Sequence, residues 1–156
     1  MPSRRTFLIG MASGVSATAG CLGSERDIAR CASQGEGTGS DQLRKIAPIT
    51  GDEQVALGIV VSSEAVRDDL HNVIEVRDSD ETLITSIPLA ENRDMNQLDQ
   101  ADHPVLASAE GELYAVVLGP PPIHGVLTTS LVTSEGDQLA AETIRFNCYS
   151  NEGSLP

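Results

Sequence analysis

In this 156-residue chain, the polar loop Asp99–His103 contains residue types that could take part in acid–base catalysis. Asp99 and Asp102 flank His103 closely enough to hydrogen-bond its imidazole, and a carboxylate beside a histidine is the pair that activates a serine nucleophile. The serine is missing from the pattern, because no Gly-x-Ser-x-Gly elbow follows the first twenty residues. The loop supports a small surface hydrolase or an ion-dependent enzyme as an alternative function, and a plain polar loop explains it more simply.

Metal sites are not favoured by the spacing of the ligand-type residues. His71, His103 and His124 lie far apart in the sequence, whereas zinc sites use closely spaced pairs. A blue-copper site needs a cysteine followed within a few residues by His and Met, and Cys148 is followed by neither. The acidic run Asp78–Glu81 lacks the length and the glycine of a calcium loop, so it predicts a turn. We therefore expect no metal, no cofactor and no catalytic residue.

The first twenty residues differ in kind from the rest. Arg4 and Arg5 are followed by Phe7 and Leu8, and the run from Ile9 to Gly20 contains no charge. A basic start, an apolar run too short to span a bilayer and small residues at its end are typical of a signal peptide. The paired arginines with Phe7 and Leu8 resemble the twin-arginine export signal, which implies that the protein crosses the membrane already folded.

The end of this segment, Thr18-Ala19-Gly20-Cys21, resembles a lipobox in which Thr18 replaces the usual leucine. The resemblance implies that residues 1–20 are removed and that Cys21 becomes a lipid-bearing N-terminus. It also implies a location on the outer face of the cytoplasmic membrane, with the lipid on Cys21 as the membrane contact. An ordinary signal-peptidase site beside an unmodified cysteine is the alternative.

Two of the three cysteines are left once Cys21 carries lipid. Cys31 and Cys148 could form a disulfide, since an exported protein can be oxidised. A bridge over so long a loop would stabilise the fold by roughly 4–5 kcal/mol in the chain-entropy model. The alternative is a buried free thiol at Cys148 and an ordinary linker residue at Cys31.

The chain is strongly acidic, with 10 Lys and Arg against 23 Asp and Glu and a formal charge of -13. Nucleic acid is therefore not expected as a partner, because phosphate binding needs clustered basic residues. Lys45 is the only lysine and aromatic residues make up 3%. This composition resembles the proteomes of salt-loving archaea, and the chain as a whole resembles a haloarchaeal twin-arginine-exported lipoprotein. A halophilic surface of this kind should lose stability in dilute buffer, where carboxylate repulsion is poorly screened.

The remaining sequence divides by composition. Residues 21–51 are expected to be the lipidated cysteine and a flexible linker, because the run Gln34–Ser40 is rich in glycine and has no period. Residues 52–150 are expected to form the folded domain, and residues 151–156 a short tail.

Within this domain the apolar residues follow the period of two that is typical of strands. Strands are predicted at 55–61, 73–77, 82–89, 112–118, 126–133 and 139–149, with hairpins over 72–89 and at the end of the domain. Residues 63–71 could form a short helix capped by Ser63, and residues 90–104 a loop or short helix that uses Met95 and Leu98. In the last strand, one face should hold Ile144, Phe146 and Cys148 and the other Arg145, Asn147 and Tyr149.

Six or so strands with few helical signals predict an all-β fold, an antiparallel sandwich. The stretch Gly111-Glu112-Leu113-Tyr114 is similar to the entry of the tyrosine-corner strand in immunoglobulin-like and fibronectin type III domains. That resemblance implies an immunoglobulin-like sandwich in which the Tyr114 hydroxyl ties a loop to the strand. The tryptophan of true immunoglobulin domains is absent.

These observations favour a non-catalytic binding or adaptor module of the envelope, with an envelope protein or a glycan as its partner. A third possibility is an envelope component that contributes only bulk and charge. The predicted interaction loop is the proline-rich segment with Pro121, Pro122, Ile123 and His124, in which Ile123 should lie at an exposed tip. A rigid crossover between two strands is the alternative interpretation of this segment.

Overall fold

A computed structural model describes residues 30–36, 40–51, 53–67, 69–92 and 99–150. The export signal and Cys21 lie outside these residues, as do Met95, Leu98 and the predicted tail. The described ranges contain eight strands: β1 (Arg30–Glu36), β2 (Leu43–Thr50), β3 (Val55–Val61), β4 (Val73–Arg77), β5 (Leu83–Pro88), β6 (Glu112–Gly119), β7 (Ile123–Val132) and β8 (Gln138–Tyr149). They also contain two four-residue helices, α1 (Leu89–Asn92) and α2 (Pro104–Ala107), and a 3-10 turn at Gln100–Asp102.

The strands form two antiparallel sheets that share one core. The larger sheet has the order β1-β8-β7-β4-β5 and the smaller one β2-β3-β6. One cluster of buried side chains combines Leu57 and Ile59 of the smaller sheet with Ile74, Ile144 and Phe146 of the larger. The prediction of an all-β fold of antiparallel sheets is therefore confirmed. No helix in the described ranges is both long and apolar enough to cross a bilayer.

The predicted strands from β3 onward are confirmed, and so are both hairpins. In β8 the buried side chains alternate with exposed ones as the sequence predicts. The run Asp78–Glu81 is the turn of the β4–β5 hairpin, in which the Asp78 carboxylate accepts hydrogen bonds of 2.9 Å from the main-chain N–H groups of Asp80 and Thr82.

The prediction of a flexible linker over residues 21–51 was wrong for Arg30–Glu36 and for Leu43–Thr50. Arg30–Glu36 is strand β1, which pairs with β8, and Leu43–Thr50 is strand β2, which pairs with β3. The sequence of β1 shows no apolar alternation because it is an edge strand whose side chains are mostly exposed. In β2 a register shift between Leu43 and Lys45 breaks the period of two.

Residues 63–67, for which a short helix was an alternative, form turns. The main-chain N–H of Ala65 donates to the Ser62 hydroxyl at 3.3 Å, and the Asn72 side-chain amide donates to the Ala65 carbonyl at 3.0 Å. These bonds to polar side chains replace the helical ladder. Ser62 therefore occupies the capping role that the sequence suggested for Ser63.

A second, smaller cluster covers the outer face of the β2-β3-β6 sheet. Leu106 of α2 is fully buried there against Ala47, Ile49, Val60 and Leu113. The Gln100 side-chain amide donates to the carbonyls of Leu106 and Ala109 and so holds the covering segment in shape.

Candidate binding site

A disulfide between Cys31 and Cys148 attaches the edge strand β1 to β8. The two cysteines are directly opposite each other in the antiparallel register, and Cys148 is fully buried. Of the two states that the sequence left open, the structure contains the bridged one. The bond closes a loop of 117 residues, which contributes roughly 4–5 kcal/mol in the chain-entropy model.

The strand pairing lines up two rows of side chains on the outer face of the β1-β8-β7 part of the larger sheet. Directly opposed residues in an antiparallel pair have Cβ atoms about 5 Å apart and share a face. The first row is Ala32, Asn147 and His124, and the second row is Gln34, Arg145 and Val126. Residues Ser33, Phe146 and Gly125 form the row between them.

A groove lies between these two rows, and we call it the outer groove. The nine residues of the three rows line a concavity of about 440 Å³, within the range of roughly 300–1,000 Å³ that is usual for ligand sites. The Phe146 side chain is 4% exposed and packs in the shared core, so its main chain faces the groove. Alternation along the strands makes this row the floor and the other two rows the walls.

The outer groove has the opposite electrostatic character to the chain as a whole. None of its nine lining residues is Asp or Glu, whereas Arg145 carries a positive charge at its centre. Among the described residues, Arg145 forms no ion pair. Arg30, opposite Tyr149 in the next row, adds a second cation on the same face.

The other half of the same sheet face provides a contrast. A concavity of about 490 Å³ near β4 is lined by Glu75, Asp78 and Glu81 together with Arg77. The guanidinium of Arg77 is bonded to the Glu75 carboxylate at 2.9 Å and to the Glu81 carbonyl at 3.1 Å. The cation there is already bonded to one carboxylate and one main-chain carbonyl, whereas Arg145 forms no ion pair among the described residues.

The predicted interaction loop is shorter and less exposed than expected. Only residues 120–122 separate β6 from β7, and they cross from the smaller sheet to the larger, with a cis peptide bond between Pro121 and Pro122. Ile123 is half-buried and packs against the shared core opposite Cys148, so the prediction of an exposed tip was wrong. His124, the next residue, is exposed and lines the outer groove.

The acidic loop Asp99–His103 lies at a different place, where the edge strands β1 and β2 of the two sheets meet. The Asp99 carboxylate accepts a 2.9 Å bond from the Ala101 N–H and so caps the 3-10 turn. Asp102 and His103 line a cavity of about 580 Å³ that also contains Ser33 and Thr50, and we call it the edge cavity. A serine therefore does lie near His103, and the sequence held no signal for it because Ser33 reaches the cavity through the pairing of β1.

The remaining ligand-type residues stay apart. Within the described ranges, no group of three or more His, Cys, Asp or Glu residues is placed to hold a metal ion. His71 is exposed at the end of the 63–71 segment and lines neither the outer groove nor the edge cavity. A scan against protein-family models and a search of curated proteins found no match to this chain.

Proposed function

We propose that this protein is a non-catalytic binding module held on the outer face of the cytoplasmic membrane by a lipid on Cys21. Arg4, Arg5, Phe7 and Leu8 would direct the folded chain through the twin-arginine route. The acidic composition supports a halophilic envelope as its setting, because dense carboxylates keep proteins hydrated and apart in concentrated salt.

The observation that carries the proposal is the outer groove. It is an open concavity whose nine described lining residues include no Asp or Glu, in a chain with 23 acidic residues. Its walls offer a guanidinium, an imidazole and two amides, which are hydrogen-bonding groups without a nucleophile–base pair. Such a surface can hold a partner but has no group arranged to change it.

We further infer an immunoglobulin-like arrangement of the two sheets. The support is the buried bond from the Tyr114 hydroxyl to the Leu89 carbonyl, 3.0 Å long, which ties a crossover segment to β6. The tyrosine corner of immunoglobulin-like and fibronectin type III sandwiches also uses a buried tyrosine hydroxyl, but its partner lies a few residues upstream, whereas Leu89 lies 25 residues before Tyr114.

The binding function can be tested by blocking the groove with a side chain that adds no charge. The tagged full-length protein is isolated from detergent-extracted membranes in molar salt, and co-purifying protein and carbohydrate are quantified. Ala32→Trp places an indole in the groove, whereas Ala141→Trp adds the same group to an exposed site on the same sheet outside it. We expect a stoichiometric envelope component with the unmodified protein and Ala141→Trp, and its loss with Ala32→Trp. An unmodified protein that carries no component, or equal recovery with both variants, would contradict the proposal.

The edge cavity supports a second candidate, a small surface hydrolase. The supporting observation is that Ser33, Asp102 and His103 line one cavity, the residue types of a serine hydrolase. A fluorophosphonate probe tests this function, because it labels only a serine activated by a base. Labelling that disappears in Ser33→Ala and in His103→Gln would support the hydrolase function. An unmodified protein that is not labelled would exclude this candidate function.

A further inference from the structure

We propose that the outer groove binds an acidic glycan, and that Arg145 recognises the carboxylate of a uronic acid unit. This inference rests on the proposed binding function and specifies its ligand. Four features of the described residues support it: the shape of the groove, its charge, the source of its hydrogen-bonding groups and the aromatic residue beside it.

The shape suits one or two sugar rings of a linear chain. The two walls are two residues apart along each strand, which separates them by about 7 Å. The groove crosses three strands, so its length from β1 to β7 is about 10 Å. It is open to solvent along its length, so a polymer can enter from the side without threading an end.

The charge selects an anion. Arg145 lies on the middle strand β8, between Gln34 and Val126, and none of the described lining residues is a carboxylate. A guanidinium presents two parallel N–H donors that match the two oxygens of a carboxylate. Acidic residues elsewhere on the surface repel a polyanion, so the part of the face that contains Arg30 and Arg145 is where the contact is favoured.

The hydrogen-bonding groups favour a sugar over an extended peptide. Within the outer groove, the Phe146 main chain is engaged on both sides, in the pairing of β8 with β1 and with β7, so a peptide lying across the groove finds no strand edge there. The free edge of the sheet is on the outer side of β1, at the end of the groove. Recognition must use side chains, and the walls provide the Gln34 and Asn147 amides and the His124 imidazole. Amides donate and accept at once, which matches the paired donor and acceptor character of sugar hydroxyls.

An aromatic ring lies beside the outer groove, beyond the wall that contains Asn147. Tyr149 lies two residues beyond Asn147, on the same face of β8, and its side chain is 44% exposed. A half-exposed aromatic ring with a polar hydroxyl can cover the apolar C–H face of a sugar while remaining hydrated.

The test is a calorimetric titration of the full-length protein, in detergent and molar salt. The affinity of the protein is measured for each of three short ligands. Trigalacturonate is the acidic glycan, maltotriose is a neutral glycan of the same length, and triglutamate is an acidic peptide. We expect trigalacturonate to bind at least tenfold more tightly than either of the others. Trigalacturonate that fails to bind, or that binds no better than maltotriose, overturns the proposal.

Two variants of equal charge change make the assignment specific. Arg145→Gln removes the cation from the groove, and Arg44→Gln removes an exposed cation from β2 in the other sheet. We expect the affinity for trigalacturonate to fall at least tenfold in Arg145→Gln and to stay within twofold in Arg44→Gln. Equal losses of affinity in both variants would mean that trigalacturonate is held by general charge attraction. That result would overturn the assignment of the outer groove as the binding site. Unchanged thermal unfolding of both variants shows that the comparison is made between folded proteins.

The outcomes separate this inference from the proposed function. Tighter binding of triglutamate than of trigalacturonate overturns the proposal that the ligand is a glycan. The proposed binding function then depends on the Ala32→Trp result alone. Loss of the envelope component in Ala32→Trp without any trigalacturonate binding likewise leaves a binding module with another ligand. A protein that retains no envelope component and binds no trigalacturonate fails both.

Discussion

The phenolic hydroxyl of Tyr114 in β6 donates a hydrogen bond of 3.0 Å to the main-chain carbonyl of Leu89, which lies 25 residues earlier at the start of α1. Both residues are almost completely buried. The bond joins the two ends of the long crossover that carries the chain from the larger sheet at β5 to the smaller sheet at β6. The Tyr114 hydroxyl therefore ties the start of this connection to β6.

Removing this hydroxyl should destabilise the fold. Tyr114→Phe leaves the Leu89 carbonyl buried without this donor, so we expect the free energy of unfolding to fall by about 1–3 kcal/mol. Denaturant unfolding in molar salt measures the loss. Tyr149→Phe is the matched control, because that ring is 44% exposed and its change should stay within about 0.5 kcal/mol. Equal effects in the two variants would show that the Tyr114 bond is not a stabilising tie.

The close contact between Gly58 and Leu106 should make any side chain at position 58 costly. A Cβ atom there would lie 2.5 Å from the Leu106 Cδ1 atom, so the covering leucine would have to move. We expect Gly58→Ala to reduce the free energy of unfolding by about 1–3 kcal/mol.

A double-mutant cycle tests this explanation of the Gly58→Ala cost. In a Leu106→Ala background the clash is gone, and Gly58→Ala should then cost little. Gly51→Ala is the control, since the nearest atom to a Cβ there is the Gln54 carbonyl oxygen at 3.4 Å. Full additivity of Gly58→Ala and Leu106→Ala would mean that the cost comes from the strand backbone instead.

The disulfide should account for a large part of the stability. The double substitution of Cys31 and Cys148 by alanine removes the 117-residue loop constraint and should lower the free energy of unfolding by about 3–5 kcal/mol. Denaturation of the unmodified protein with and without a phosphine reductant should show a similar shift, and the double variant should show none. A reductant effect on the double variant would point to another cause.

Glu142 should make stability depend on pH. Burial raises the pKa of the Glu142 carboxyl, and the charge of Lys45 opposes that rise only in part. The carboxylate oxygen Oε2 is buried without a hydrogen-bond partner among the described residues, and Thr129, with its own unpartnered buried hydroxyl, lies directly opposite. Because the folded state binds this proton more tightly than the unfolded state does, the group stabilises the fold at low pH. That contribution is lost as the pH rises from the unfolded-state value through the higher folded-state value.

Glu142→Gln removes the charge and should therefore stabilise the protein at neutral pH. The side chain is partly exposed, so solvent screening keeps the expected gain below about 1 kcal/mol. The gain should vanish below about pH 3, where the carboxyl of Glu142 is protonated in both states. Unfolding measured at both pH values, with the exposed turn residue Glu135→Gln as control, checks the sign. A stability loss at neutral pH would show that the Glu142 charge is favourable in the fold.

The anchor makes a prediction about location. Cys21→Ser should leave the protein unprocessed or release it into the medium, because the lipid attachment atom is gone. Replacing both Arg4 and Arg5 by lysine should instead retain the chain in the cytoplasm. Fractionation with detergent phase partitioning distinguishes the two results. A Cys21→Ser protein that is processed normally and stays in the membrane would contradict the lipobox interpretation.

The sequence alone determined the features that depend on neighbours along the chain. The alternation of Ile144, Phe146 and Cys148 with exposed residues specifies which face of β8 enters the core, because side chains of a strand alternate between its two faces. The Asp78 turn likewise follows from residues within four positions of one another. The identity of strands β3 to β8, the two hairpins and the all-β class are local in this sense, and they could be predicted.

Contacts between distant parts of the chain were decided only by the tertiary structure. Strand β1 has no apolar pattern. It forms a strand because its main chain pairs with β8 and because Cys31 is bonded to Cys148. The outer groove exists because Gln34, Arg145 and Val126 become neighbours across three strands, although Gln34 is far from the other two in sequence. A local sequence pattern cannot predict contacts of this kind, because they follow from strand order and register. Strand order and register are determined by how the two sheets bury their common core.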